Sequence, residues 1–158
     1  MFELCVNVLL AYLLGSMLGG LIVGKLKGGV DIRQQGSGNA GGTNALRTQG
    51  WWFALWVMII DIGKGWVAVA LLPSWHLMGE AISLVSLPWM QVLCALAVVV
   101  GHVYPLWFGF RGGKGAATLV GVVAGLAPVA LIYVLGVWLA VLMLTGFVGL
   151  STMVATLA

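Results

Sequence analysis

The stretch WWFALWVMIIDIGKGWVAVALL at residues 51–72 decides what kind of protein this is. It is apolar from end to end apart from Asp61 and Lys64, and it opens on a tryptophan pair. It is long enough to cross a hydrocarbon core, which takes about 20 residues of helix. Working outward, a run of the same kind lies upstream at 4–23 and ends at Lys25 and Lys27. Downstream, a loop with Pro73, Ser74, His76, Glu80 and Pro88 leads into a third run at 89–108. After the short loop Phe110-Arg111-Gly112-Gly113-Lys114-Gly115, apolar sequence resumes at 116–144, interrupted at Gly125 and Pro128. It reads either as one kinked helix or as a short half-helix followed by a full one. Thr145, Gly146 and Gly149 mark a turn, and a last apolar segment occupies 150–158.

Composition points the same way. The chain has 158 residues, 62% hydrophobic and 7% charged, with a mean hydropathy of +1.13. Soluble domains carry about a quarter charged residues. A soluble enzyme, a disordered tail and a nucleic-acid-binding module are thereby excluded, and no nucleic-acid partner is expected. The predicted fold class is all-α, a polytopic transmembrane helix bundle of four to five membrane segments with Gly-rich cytoplasmic loops. The whole of 1–158 is read as one integral-membrane domain. The first run has Glu3 in place of a basic start and lacks a clear cleavage site, so it is read as a retained helix. A segment over 150–158 reaches about 14 Å as helix, against a core about 30 Å thick. C-terminal truncation is the expectation, with an end buried against the bundle as the alternative.

Charge sets the orientation. Lys25, Lys27, Arg33 and Arg47 flank or occupy the first loop, Arg111 and Lys114 the third, and the second has no Lys or Arg. The positive-inside rule makes loops one and three cytoplasmic and the N-terminus external. Trp51, Trp75, Trp89 and Trp107 fall near span ends, where an interfacial belt expects them. Gly15, Gly19, Gly20 and Gly24 in the first span suit close helix packing. Cys5 and Cys94 form neither a disulfide framework nor a metal pattern.

The chemistry concentrates in the two basic loops. The first reads Gly36-Ser37-Gly38-Asn39-Ala40-Gly41-Gly42-Thr43-Asn44-Ala45-Leu46-Arg47. Formally it contains G-x-G-x-x-G, but membrane helices flank it where a dinucleotide fold needs strands. No Gly-Lys-Ser/Thr closes it as a P-loop. What remains is the physics of anion binding: glycines that let backbone N–H groups form a concave nest, and donors on Ser37, Asn39, Thr43 and Asn44. Thr43 or Asn44 would cap a helix running toward Arg47, whose fork matches phosphate oxygens. The third loop repeats the theme, with Gly112 and Gly113 giving access and Lys114 supplying a point charge. Asp61 and Lys64 share a helix face inside a span, where an ion costs about 2.5–3.5 kcal/mol, so they are either a mutual structural pair or a support for the cytoplasmic site. His102 is the general-base candidate by residue type, with a buried structural histidine as the alternative. His76 carries no assigned role. Acidic residues are too few and scattered for a metal site.

Together these residues resemble the bacterial acyl-phosphate:glycerol-3-phosphate acyltransferases. The resemblance rests on Gly36 through Thr48, Tyr12-Leu13-Leu14-Gly15-Ser16, Gly29-Val30-Asp31-Ile32-Arg33, Asp61-Ile62-Gly63-Lys64-Gly65, and Gly101-His102-Val103-Tyr104-Pro105 through Gly112-Gly113-Lys114-Gly115. It implies transfer of a fatty acyl group from acyl phosphate to glycerol-3-phosphate, in the bacterial inner membrane, with no cofactor. Ser37, His102 and Lys114 are the implied catalytic residues. Gly36, Gly38, Asn39, Thr43, Asn44, Arg47, Gly112 and Gly113 are the implied substrate-binding residues. Two departures from the family pattern, the absent third cytoplasmic signature and Gly146-Phe147-Val148-Gly149 at the turn, motivate the runner-up: an inactive remnant that still binds phosphate compounds. A small transporter is the third reading. Acyl-chain preference and oligomeric state are not legible.

Overall fold

Helix α4 (Trp51–Ala70) runs uninterrupted, because its sequence holds no proline and its two charges face one side. The computed structural model describes residues 2–75 and 86–157, so His76 and Glu80 lie outside the described residues. Among those described, the secondary structure is helical throughout: α1 (Phe2–Gly15), α2 (Gly19–Leu26), α3 (Gly42–Gln49), α4, α5 (Leu87–Val103), α6 (Ala116–Leu126), α7 (Pro128–Thr145) and α8 (Val148–Leu157). Three stretches are long and apolar enough to cross a membrane, or four if α1 and α2 count as one bent span.

Two expectations need correction, over 4–23 and at Gly149, and two are refined. The run at 4–23 is not one helix: it breaks at Ser16-Met17-Leu18, and α1 and α2 meet at a bend of 51°. The run at 89–108 stands as a candidate span over Leu87–Phe108, but its α-helix ends at Val103, because Pro105 disfavours helical backbone in Tyr104, which adopts φ −121°, ψ 68°. The helix expected toward Arg47 in the first loop is present as α3, capped at Gly41 and separated from α4 by Gly50 alone. Gly50 adopts φ 86°, a left-handed value open to glycine, and turns the chain in one residue. Gly149 lies inside α8 and not in the turn before it, which Gly146 makes at φ 73°. At 116–144 the half-helix reading holds: α6 ends at Leu126 and α7 restarts at Pro128, which sits at a helix first turn, where its missing N–H costs nothing.

Contacts divide the chain into residues 1–126 and 127–158. In the first unit, reciprocal glycines bring helix backbones together. A Cβ on Gly15 would strike the backbone of Val98, and one on Gly101 the carbonyl of Tyr12, which locks α1 to α5. Gly65 against Thr118 and Gly121 against Ile62 do the same for α4 and α6. With no hydrophobic drive between helices in lipid, such close approach supplies the packing energy. Gly20 and Gly24 serve differently from the expected helix packing: they face the loop carbonyls of Ala40 and Val30. Ala11, Ala68, Val69, Cys94, Val98 and Val122 fill the core between these helices. The belt tryptophans at 51, 75, 89 and 107 are all exposed, as an interfacial position requires. In the second unit α7 and α8 form a hairpin, tied by a hydrogen bond from Trp138 Nε1 to Thr152 Oγ1 (3.2 Å).

Candidate active site

Asn44 organises the first loop. Its side chain is buried, and Nδ2 donates to the carbonyls of Ile32 (2.8 Å), Gln35 (3.0 Å) and Asn39 (2.9 Å). Its Oδ1 accepts from the N–H of Ser37 (2.9 Å). The amide expected to cap a helix or to contact an anion is therefore spent inside the loop, and the cap of α3 is Gly41. Thr43 likewise lies within the first turn of α3 and not at its cap. Asn44→Ala leaves three carbonyls and one N–H without their partner. It is expected to lower stability by about 1–3 kcal/mol, read as a fall in thermal midpoint in detergent with faster proteolysis across 33–40. An unchanged midpoint would refute the role.

That scaffold leaves the functional groups outward. Thr43, in the first turn of α3, and Arg47, in its last, are four residues apart and so share a helix face. The N–H groups of the first turn of α3 carry partial positive charge. Among the described residues, the side chains of Ser37, Thr43, Arg47 and Lys114 are exposed and hold no hydrogen bond or ion pair. Gly36 and Gly38 take φ 57° and 73°. Gly36 abuts the Asn44 amide, and the N–H of Gly38 donates to Gln35 (3.1 Å). Asn39 gives its carbonyl to Asn44 and is half-buried.

Arg33 joins this loop to the third. Its Nη2 and Nε bind the Asp31 carboxylate at 2.8 to 3.3 Å, while Nη1 donates to the carbonyls of Phe108 (3.0 Å) and Arg111 (2.9 Å). The sequence marked Arg33 as a positive-inside charge and as part of the motif at 29–33, and nothing in it reveals that two of its acceptors are main-chain oxygens. The hydrogen bonds from Arg33 hold the Asp31 carboxyl below its usual range, and burial opposes them only in part. A depressed carboxylate adds stability above its ordinary value of 3.8 and loses it as pH falls further, so the clasp stays closed through the neutral range.

In the third loop the N–H groups of Gly112 and Gly113 do not face outward as a nest. They donate to the carbonyls of Val103 and His102, both at 3.1 Å. Glycine is required there by contact: a Cβ at 112 would meet the His102 carbonyl and one at 113 would meet His102 Nε2. His102 is 2% exposed. Its Nδ1 lies 2.9 Å from Lys64 Nζ, 3.1 Å from Thr118 Oγ1 and 3.6 Å from Asp61 Oδ1. His102 is thus buried, with Nδ1 inside a polar cluster. Asp61 and Lys64 pair at 2.8 Å and are both buried.

An apolar cleft of about 620 Å³ runs along α1 and α2. Its walls include Leu10, Leu14, Met17, Ile22, Trp107 and Phe108. Phe108 belongs to both features: it lines the cleft and its carbonyl receives Arg33.

These features define a helical protein with segments long and apolar enough to cross a membrane, an apolar cleft and two clasped cationic loops. The family model for glycerol-3-phosphate acyltransferase matches residues 5–158, across both contact units. The chain belongs to that family. It is 38% identical to the glycerol-3-phosphate acyltransferase of Chlorobaculum tepidum, covering 96% of this chain and 66% of that one. It is 48% identical to the enzyme of a Synechococcus species, covering 96% and 70%. The chain thus spans about two thirds of the length of the curated relatives it matches. Crystal structures of PlsY (YgiH), an integral membrane glycerol 3-phosphate acyltransferase, share the fold. The glycerol 3-phosphate form has a TM-score of 0.84 at 37% identity, covering 98% of this chain and 72% of that one. The lysophosphatidic acid form has a TM-score of 0.82 at 36% identity, with the same coverage.

Proposed function

We propose that this chain transfers a fatty acyl group from acyl phosphate to the 1-hydroxyl of glycerol-3-phosphate, releasing phosphate and giving lysophosphatidic acid for phospholipid synthesis. The observation that carries the reading is Phe108, where the clasped cationic loops meet the apolar cleft. An acyl phosphate has these two halves, an anionic head and an apolar chain. The cleft volume lies within the usual range for ligand pockets, about 300–1,000 Å³. Family membership supports the acceptor: one related crystal structure is described as the glycerol 3-phosphate form.

An acyl phosphate is a mixed anhydride and already activated, so the protein's work is positioning and charge stabilisation. The acceptor hydroxyl oxygen attacks the acyl carbonyl carbon and forms the ester bond. The carbon–oxygen bond to phosphate breaks, its electron pair stays on the phosphate, and the hydroxyl proton passes to that leaving phosphate. Thr43, Arg47 and the first turn of α3 hold one phosphate, Lys114 offsets the charge of the other, and Ser37 orients the reacting hydroxyl. His102 acts indirectly, by shaping the third loop. Lys and Arg enrichment in loops one and three favours a cytoplasmic site and an external N-terminus in the bacterial inner membrane. Lys64 Nζ and Asp61 Oδ1 are engaged with each other and with neighbouring backbone groups, while Asp61 Oδ2 is buried without a partner; the pairing disfavours a transport path lined by them.

The test is transfer from palmitoyl phosphate to radiolabelled glycerol-3-phosphate by the 158-residue chain purified in detergent. Labelled lysophosphatidic acid with one phosphate released per ester is the expected result. A folded chain that forms no ester, or one that accumulates an acyl-Ser37 adduct, would overturn the scheme.

A further inference from the structure

Asp61 and Lys64 take up the hydrogen bond that the chain drops at its helix break. In an unbroken helix the N–H of Gly19 would donate to the carbonyl of Gly15. Here that N–H donates to Asp61 Oδ1 (3.1 Å), and that carbonyl accepts from Lys64 Nζ (2.9 Å). Lys64 Nζ also donates to the carbonyl of Met17 (2.9 Å), whose ordinary partner, the N–H of Leu21, has turned to Leu18 (3.1 Å). The two residues are a turn apart on α4, so one helix face presents both the acceptor and the donor that the break requires. Neither charge reaches solvent, and an ion at such depth is retained only where it is compensated.

The same ammonium contacts His102 Nδ1, and the His102 carbonyl and Nε2 face carry Gly113, the residue before Lys114. Ser16, within the break, reaches the third loop by a second route: its Oγ accepts from the N–H of Leu106 (3.2 Å). We infer that Asp61 and Lys64 are positioning residues that stand in for the missing helical hydrogen bond, hold the bend between α1 and α2, and through His102 set the loop that bears Lys114. The link to catalysis rests on the acyl-transfer reading; the control of the bend does not.

Two double variants separate the possibilities. Asp61→Leu with Lys64→Met removes donor and acceptor together and leaves no lone buried charge, a replacement that proteins commonly tolerate. Asp61→Asn with Lys64→Gln keeps a neutral acceptor and donor. Nitroxide labels at Leu9→Cys and Leu26→Cys, both exposed, report the bend by pulsed electron resonance in a Cys5→Ser, Cys94→Ala background. The apolar pair is expected to shift and broaden the interspin distribution and to raise KM for glycerol-3-phosphate about tenfold. The amide pair is expected to keep the wild-type distance and recover most of the KM. An apolar pair with wild-type distance overturns the inference. A shifted distance with unchanged KM refutes the link to the Lys114 loop. If the apolar pair fails to fold, the amide pair decides: a wild-type distance supports the inference and a shifted one refutes it. If the parent chain forms no ester, the acyl-transfer reading falls and the distances still judge the bend.

Discussion

Lys114→Ala lowers kcat/KM for acyl transfer about 100-fold, the range seen when one donor to a developing anion is removed. The expectation follows from where the side chain stands. It is exposed, holds no partner in the described structure, and follows a backbone pinned to the end of α5 at Gly112 and Gly113. The charge is thus held ready and costs nothing to release from another contact. The thermal midpoint should not move, since nothing in the fold leans on the ammonium. Lys25→Ala, equally exposed at the end of α2, serves as the control and should leave the rate unchanged. Initial rates at varied glycerol-3-phosphate, beside melting curves, check both. A Lys114→Ala protein with wild-type kcat/KM would remove the third loop from the site.

Lys64→Met alone has the largest expected effect on stability, a loss of about 3–5 kcal/mol. Asp61 would remain buried and charged without its counter-ion, and the carbonyls of Gly15 and Met17 would lose their donor. The protein should fail to yield a monodisperse peak in detergent, or melt far below wild type. Adding Asp61→Leu should recover much of the loss, because the lone charge is then gone. Groups in one network are expected to be non-additive in this way. A Lys64→Met protein as stable as wild type would show that Asp61 is not ionised or not enclosed.

How much of this was legible beforehand differs by element. Hydropathy and length located α4 to its first residue, and Pro128 marked the restart of α7, because these depend only on local composition. The break at Ser16-Met17-Leu18 was not legible. No proline announces it, and the groups that compensate it are 42 to 49 residues away on α4. The outward donors Ser37, Thr43, Arg47 and Lys114 were recognisable as polar groups in glycine-rich loops. Asn44 and Arg33 have the same chemistry in sequence, yet the fold spends them on backbone carbonyls.

The sequence by itself determined that the chain is a bundle of apolar helices, which loops carry charge, and to which family it belongs. These properties are written in side-chain type, run length and spacing. The tertiary structure alone decided which polar residues remain free for a substrate and which are consumed. Arg33 reaches Phe108 and Arg111 across 75 and 78 residues, and Lys64 reaches Gly15 across 49. In each case the partner is a main-chain carbonyl. Every residue has one, so it leaves no mark in the sequence, and only folding can show which of them lies within reach.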